Sequence, residues 1–389
     1  MKQLKIVAFI MLCTTALFSD ESTDLAKEKN VSRLKQFVYL SSNNLEVYKI
    51  NDEGTLALIQ NVSLKRSPAV SVVSPDGNFL YVVLFGSNKG NLKSQIITYA
   101  ISDKGLLEEK ARVDTHRNVF ISVDPQGEYL FGAGNGLVAA YKLDKGLCNS
   151  PHISSAAADK GIHSVRMDGE FVYIPHIITN QMYQYKFDRK SEKFVALKPL
   201  SVSGPDNTKK YHDPRHLYFH SKLRVLYTSN EYGGGISSWR RNVDDGSLTL
   251  WDTKSTHPKD HDFFADPKNP DRMCYRASDI HLSPDNLFAY VANRDNSDRK
   301  SLTGKDTISI FALDPKTGAL SDLISSVPTG RHVRSLLIDS SGQYLYATGV
   351  WSSTIHVYRR NLETGALKLE TIMPCAESPM WMSLHSVAK

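Results

Sequence analysis

The chain has 389 residues, of which 41% are hydrophobic, 10% aromatic and 23% charged; this apolar share builds a packed core and excludes a disordered chain. With 47 basic and 41 acidic residues the formal charge is +6, too mild and too scattered for a nucleic-acid surface, although it favours anionic small molecules. Four widely spaced cysteines exclude a disulfide framework and fit no zinc pattern.

At the start of the chain Lys2 and Lys5 precede an apolar-biased run, Ile6 to Phe18, followed by Ser19-Asp20-Glu21-Ser22. The run is too short to span a bilayer and fits the core of a secretory signal. The expected organisation is a signal peptide over 1–20, a linker over 21–36 and one domain over 37–389. The chain is then exported, to the periplasm or beyond, with no membrane span after signal removal; it is cytoplasmic if the run is no signal. Cleavage leaves Cys148, Cys274 and Cys375, enough for one bridge at most.

From Phe37 onward a β-rich couplet recurs seven times. Its first members centre on Tyr39, Tyr81, Phe131, Tyr173, Tyr227, Tyr290 and Tyr346, which lie 42, 50, 42, 54, 63 and 56 residues apart. A unit of about 40–50 residues is the period of a four-stranded propeller blade. Residues 68–110 show it most clearly: Pro68-Ala-Val-Ser-Val-Val, a Pro75-Asp-Gly77 turn, Phe79-Leu-Tyr-Val-Val-Leu, Ser94 to Tyr99, and a Ser102-Asp-Lys-Gly105 turn. β-Branched and aromatic residues fill the strands, while Pro, Asp and Gly fill the turns. The fourth unit is the poorest copy, with a shortened Met167-Asp-Gly169 and an Asp188-Arg-Lys-Ser191 turn that lacks the glycine. The array opens at Phe37 with a second-strand sequence and ends at Ser378 to Leu384 with first-strand character. An all-β, seven-bladed propeller closed by pairing the C-terminal strand with the N-terminal three is therefore predicted; such closure removes free sheet edges.

In such a fold, first-strand starts and second-strand ends meet at one mouth of the central channel. First-strand starts carry His163, Arg215-His216, Arg276 to Asp279, His281, Arg331 to Arg334 and Trp381; second-strand ends carry Asn230-Glu231 and Asn293-Arg294-Asp295. One carboxylate among arginines and histidines suits acyl chemistry on a lactone. Glu231 or His163 acts on water as general base. Arg215, Arg276 or Arg294 steadies the oxyanion and grips an anionic substituent. A lactone is an activated ester, so no nucleophilic serine, metal or cofactor is needed, and no nucleophile elbow, His-Glu-x-x-His or phosphate-binding glycine loop occurs. On this reading Glu231→Gln abolishes turnover without lowering the melting temperature. A carboxylate directly after a strand and facing polar groups favours function for Glu231, the alternative being a plain salt bridge between blades with Arg215; His216, His281, Asp279 and Trp381 also fit plain packing roles.

Asp213-Pro-Arg-His-Leu-Tyr-Phe-His220, Ser229-Asn-Glu231, Ala277-Ser-Asp-Ile-His-Leu-Ser-Pro-Asp285, Ala292-Asn-Arg294 and Pro379-Met-Trp381 occur in that order. Together they resemble the seven-bladed lactonase family of bacterial 6-phosphogluconolactonases and fungal carboxymuconate cyclases, from about Phe37 to Ser386. The resemblance implies lactone hydrolysis, or the reverse closure, without cofactor. It places the family's His, Arg, Glu and Arg set on His163, Arg215, Glu231 and Arg294; by their position at the same mouth, His216, Arg276, Asp279, His281, Arg334 and Trp381 are the expected substrate-binding residues. Two departures stand out: Asp213 replaces the glycine usual before Pro-Arg-His, and Gly132-Ala-Gly-Asn-Gly136 replaces a family Asn-Tyr-x-Gly-Gly turn. The expected partner is a small, anionic lactone; the sequence carries no sign of oligomeric state. The alternatives are a non-catalytic binding propeller and a carboxymuconate-type lactonising cyclase. His257 to Asp266 reads as a lid over the mouth, and Lys209-Lys210 as an attractor of anions.

Overall fold

A computed structural model describes residues 34–86, 92–206, 211–258, 265–266, 269–297 and 304–387. The expected signal over 1–20, most of the 21–36 linker, Lys209-Lys210 and most of the expected lid lie outside the described residues. The first strand, Lys35–Ser41, begins two residues before the expected Phe37 boundary.

Seven four-stranded antiparallel sheets form the blades. Their innermost strands, taken as blades 1 to 7, are Trp381–Val387, Pro68–Val73, Phe120–Val123, Arg166–Asp168, Pro214–Phe219, Tyr275–Leu282 and Val333–Ile338. Successive blades touch around a closed circuit. The predicted closure is present: Trp381–Val387 pairs antiparallel with Lys35–Ser41, with Tyr39 opposite Ser383. Second strands such as Phe79–Leu84 and Val225–Asn230 are buried on both faces, because each is covered by blades on either side. That is why they read as continuous apolar runs and not as alternation. Cys148 and Cys375 are free thiols, and Cys274 is buried.

The recurring tyrosines join the blades. Each of six, all buried, donates its hydroxyl to a glycine carbonyl in the outer turn of the next blade. The pairs are Tyr39–Gly105, Tyr81–Gly146, Tyr173–Gly246, Tyr227–Gly318, Tyr290–Gly365 and Tyr346–Gly54, at 2.6–3.1 Å. These glycines have φ of 71–82°, and a Cβ at Gly105, Gly246 or Gly365 would fall 2.3–2.4 Å from a phenylalanine ring of the preceding blade. Only glycine meets both demands. The seventh junction breaks both halves of the rule together. Blade 4 has Glu192 in the left-handed conformation (φ 56°) where the glycine would stand, and blade 3 offers Phe131, which has no hydroxyl. There Tyr129 donates to the Glu192 carboxylate at 2.9 Å, and Arg189 reaches back to Asp124 and Glu128. Tyr227→Phe should lower stability by about 1 kcal/mol, the usual worth of one buried hydrogen bond, whereas Phe131→Tyr should give no gain. Paired urea titrations measure both.

Candidate active site

Sequence alone places Arg215 and His216 on opposite faces of a strand. The pairing of Pro214–Phe219 with Val225–Asn230 slips between Pro214 and His216, and this bulge turns both side chains toward the same space. Similar slips occur at Pro68/Ser71, Ala277/Ile280 and Val333/Leu336 on other inner strands. Just upstream, Asp213 has a φ of 68°, a conformation that suits glycine and, among other residues, aspartate and asparagine best. Its N–H donates to Asn180 Oδ1 at 2.9 Å, and its carboxylate meets His212 Nδ1. The family glycine is thus replaced without changing the backbone that a glycine would allow. The other departure is a two-residue hairpin turn, Asn135-Gly136 with φ 50° and 75°, which joins Gly134 to Leu137 and leaves no long side chain on its tip.

Glu231 follows the second strand of blade 5, its N–H bonded to the Asp213 carbonyl at 2.7 Å. Its carboxylate is held from two sides: Oε2 accepts from Arg215 Nε at 2.8 Å, and Oε1 pairs with Arg294 Nη2 at 2.7 Å. The Glu231–Arg215 pair lies inside blade 5; the bridge between blades is Glu231–Arg294. Arg215, 1% exposed, also donates through Nη1 to the Ser278 carbonyl at 2.7 Å and to His216 Nε2 at 3.1 Å. His216 Nδ1 in turn lies 2.8 Å from Asp279 Oδ1, so the ring is neutral, donating at Nδ1 and accepting at Nε2. Arg334 makes no hydrogen bond or ion pair among the described residues, which sets it apart from Arg331, engaged by buried Asp306. Arg276 stacks on Tyr232, 5.3 Å from the ring centroid.

Burial alone would raise the Glu231 carboxyl, but Arg294 and then Arg215 outweigh it and hold the group well below its usual range. Burial, then repulsion from Arg215 and Arg294, pushes Arg334 down to about 9, still charged at neutral pH. His163 stands at the same cluster, its ring 5.2 Å from that of His216. Burial, then Arg215 and His216, drives it well below 6.5, so it is a neutral imidazole; Glu231 alone pulls the other way. His163 precedes the short first strand of blade 4 and does not start it, its N–H bonded to the Pro175 carbonyl. His332, stacked on Trp351 at 4.2 Å, faces the same arginines, and burial followed by Arg294 pushes it to about 2.

The predicted residues fall into two groups. His163, Arg215, Glu231, Arg294 and Arg334 converge, as their mutual electrostatic effects show. Asp279, His281 and Trp381 instead line a cavity of about 570 Å³ whose walls include none of those five. Between the two lies a plug of rings: His216 packs edge-on against Phe120 at 5.3 Å and Trp381 at 5.5 Å. Trp381 Nε1 donates to the Ser71 carbonyl at 2.9 Å. Phe120, Arg166 and Trp351 escaped the sequence reading. Phe120 and Arg166 occupy first strands and are recoverable by the positional logic that found His163, whereas Trp351 lies in a turn that the logic ignores.

Several of these imidazoles are buried and neutral; His176 is fully buried and pushed by burial to about 4. An imidazole whose folded pKa lies below 6.5 leaves the unfolded chain to take up the proton first. Each such group therefore removes up to about 1.4 kcal/mol per pH unit below 6.5, until its folded pKa is reached. The urea midpoint should fall steadily from pH 6.5 toward pH 4, before most carboxylates titrate; a flat profile over that range would show these rings to be hydrated.

A family model described as Lactonase, 7-bladed beta-propeller matches residues 41–384. A protein named 6-phosphogluconolactonase from Enterobacter sp. is 26% identical over 362 residues, spanning 91% of this chain and 100% of its own length. One of the same name from Cronobacter sakazakii is 27% identical over 364 residues, spanning 91% and 99%. Among solved structures, a periplasmic gluconolactonase from Pseudomonas aeruginosa superposes with a TM-score of 0.76 at 20% identity, over 91% of this chain and 99% of that one. At that identity the likeness shows the fold alone.

Proposed function

Because the chain belongs to the seven-bladed β-propeller lactonase family, we propose that it hydrolyses the ester bond of a sugar-acid lactone that carries an anionic group. The observation that supports this most directly is the charge of the cluster. Three arginines surround one ionised carboxylate, and Arg334 forms no ion pair among the described residues, with Arg215 and Arg294 repelling it more than Glu231 and Asp279 attract it. An anion is the missing partner, and a guanidinium takes a phosphate or a carboxylate equally well.

His163 takes a proton from water as the water oxygen attacks the ring carbonyl, and Arg294 steadies the oxyanion. Collapse of the tetrahedral intermediate breaks the ring C–O bond, and the departing alkoxide receives the proton back from His163, giving the open hydroxy acid. Glu231 favours the transient imidazolium and keeps Arg215 and Arg294 in place. Both of its oxygens are engaged by guanidinium groups, which makes it the poorer base of the two. Arg215, with Nε on Glu231 and Nη1 shared between Ser278 and His216, positions its neighbours. A lactone is reactive enough that these groups suffice without metal or cofactor. The reading extends to location, with the Ile6 to Phe18 run acting as an export signal. Outside the cytoplasm the anionic group is then a carboxylate more readily than a phosphate.

Purified protein should hydrolyse 6-phosphogluconolactone, or a carboxylate-bearing lactone, faster than the neutral glucono-1,5-lactone. Arg334→Met should raise KM for the charged substrate by about 10-fold or more, while KM for the neutral lactone stays within about twofold. If no lactone in the panel turns over above its spontaneous rate, the site is a binding mouth and not a catalyst.

A further inference from the structure

The cavity of about 570 Å³ opens toward the opposite end of the channel from Glu231, among the first-to-second-strand turns at Ser221, Ser283 to Asn286 and Asp339-Ser340. The lactonase reading makes no use of it. Its walls combine Val72, Ile121, Leu337 and Met382 with the rings of Phe120, Tyr218 and Trp381, and its size suits a small organic molecule.

One cation stands in this wall. Arg166 lies with its guanidinium carbon 5.6 Å from the Phe120 centroid and 5.3 Å from that of Tyr218. Its Nε is buried without an acceptor, and it has no ion-pair partner among the described residues. The two carboxylates of the wall are already occupied. Asp279 Oδ1 accepts from His216 and the Ile280 N–H, and Oδ2 from the Leu336 N–H. Asp339 accepts from the Tyr344 N–H, Gln36 and Ser341. His281, its ring tilted against that of Tyr218 with the centroids 4.6 Å apart, is neutral, pushed by burial to about 4. A second, independent orphan lines the same wall: Ser122, 7% exposed, whose hydroxyl has no partner among the described residues. A cation held between two rings, uncompensated and beside apolar walls, is an arrangement built for an anion that brings its own apolar body.

We propose that this cavity is a second binding site, separate from the lactonase mouth, for a small organic anion with an apolar body. The anionic group meets the Nη groups of Arg166 and the Tyr218 hydroxyl, and the apolar body lies against Val72, Leu337 and Met382. Benzoate is a suitable probe and benzamide its uncharged counterpart.

Calorimetric titration of the whole protein with benzoate tests this. Benzoate should bind, benzamide should bind at least about tenfold more weakly, and Arg334→Met, which alters the other mouth, should leave benzoate affinity within about twofold. Arg166→Gln should weaken benzoate at least about tenfold. Should that variant fail to fold, Val72→Phe, which keeps the charge and fills the space, should abolish binding instead. No binding to wild type, unchanged affinity in Arg166→Gln or Val72→Phe, equal affinity for benzamide, or loss of all benzoate binding in Arg334→Met would each overturn the proposal.

Discussion

Glu231→Gln should reduce kcat/KM for the preferred lactone by about 100-fold or more and lower the melting temperature as well. The carboxylate is the shared counter-ion of Arg215 and Arg294, and all three residues are at most 6% exposed. An amide accepts through one oxygen only, and its NH2 would face a guanidinium that can only donate. Breaking a buried ion pair by removing one partner costs about 3–5 kcal/mol, because the remaining charge stays desolvated. In a domain of this size each kcal/mol shifts the melting temperature by about 1–2 °C, given an unfolding entropy of about 2.1 cal/mol/K per residue, so a drop on the order of 5 °C is expected. The sequence alone suggests an unchanged melting temperature, since it places Glu231 at an open mouth; the burial of Arg215 reverses that expectation. The linkage has a definite sign. The folded carboxyl is held below its ordinary pKa of 4.5, so its stabilisation is complete above that value and is lost as pH falls toward the folded one. Replacing Arg215 by Met in the same protein should restore part of the lost stability without restoring turnover. A Glu231→Gln protein that melts with wild type would show the triad to be hydrated, and one with wild-type turnover would remove Glu231 from the catalytic cluster.

The architecture was legible because a blade cannot cover its own faces, so the same apolar couplet must return at nearly constant spacing. The mismatch between the two chain ends even exposed the closure. The site was legible only in outline. Topology brings strand-one starts and strand-two ends to one mouth, which correctly grouped His163, Arg215, Glu231 and Arg294. It also swept in His281 and Trp381, which line the other side of the plug. For His281 side-chain direction accounts for the difference, because the slip between Ala277 and Ile280 alters it and nothing in that sequence announces a bulge; Trp381 lies on a strand that pairs without a slip. Arg215 and Arg334 look alike in sequence. They differ in what surrounds them: Arg215 is bonded to Glu231, Ser278 and His216, whereas Arg334 forms no hydrogen bond or ion pair among the described residues and the repulsion of Arg215 and Arg294 ranks ahead of the attraction of Glu231 and Asp279. The Phe131 and Glu192 exceptions were both visible along the chain, yet their connection across a blade junction required coordinates.

His163→Gln should lower kcat by about 100-fold or more, the usual contribution of a positioned general base, and should barely affect stability. Among the described residues its Nδ1 lacks a partner and its side chain makes no hydrogen bond, so truncating the base removes chemistry and little else. The pH profile separates this role from a structural one. Protonation of His163 switches the base off, and its pKa lies well below 6.5; wild-type kcat/KM should therefore stay level from neutral pH to below 6.5 before it falls. The acid limb should vanish in His163→Gln, leaving a low rate that is flat over the same range. If the variant instead keeps the limb at full height, Glu231 is the base despite its two guanidinium partners. The residual rate in His163→Gln should still respond to Arg334→Met through KM, because binding of the anion and removal of the proton fall to different blades.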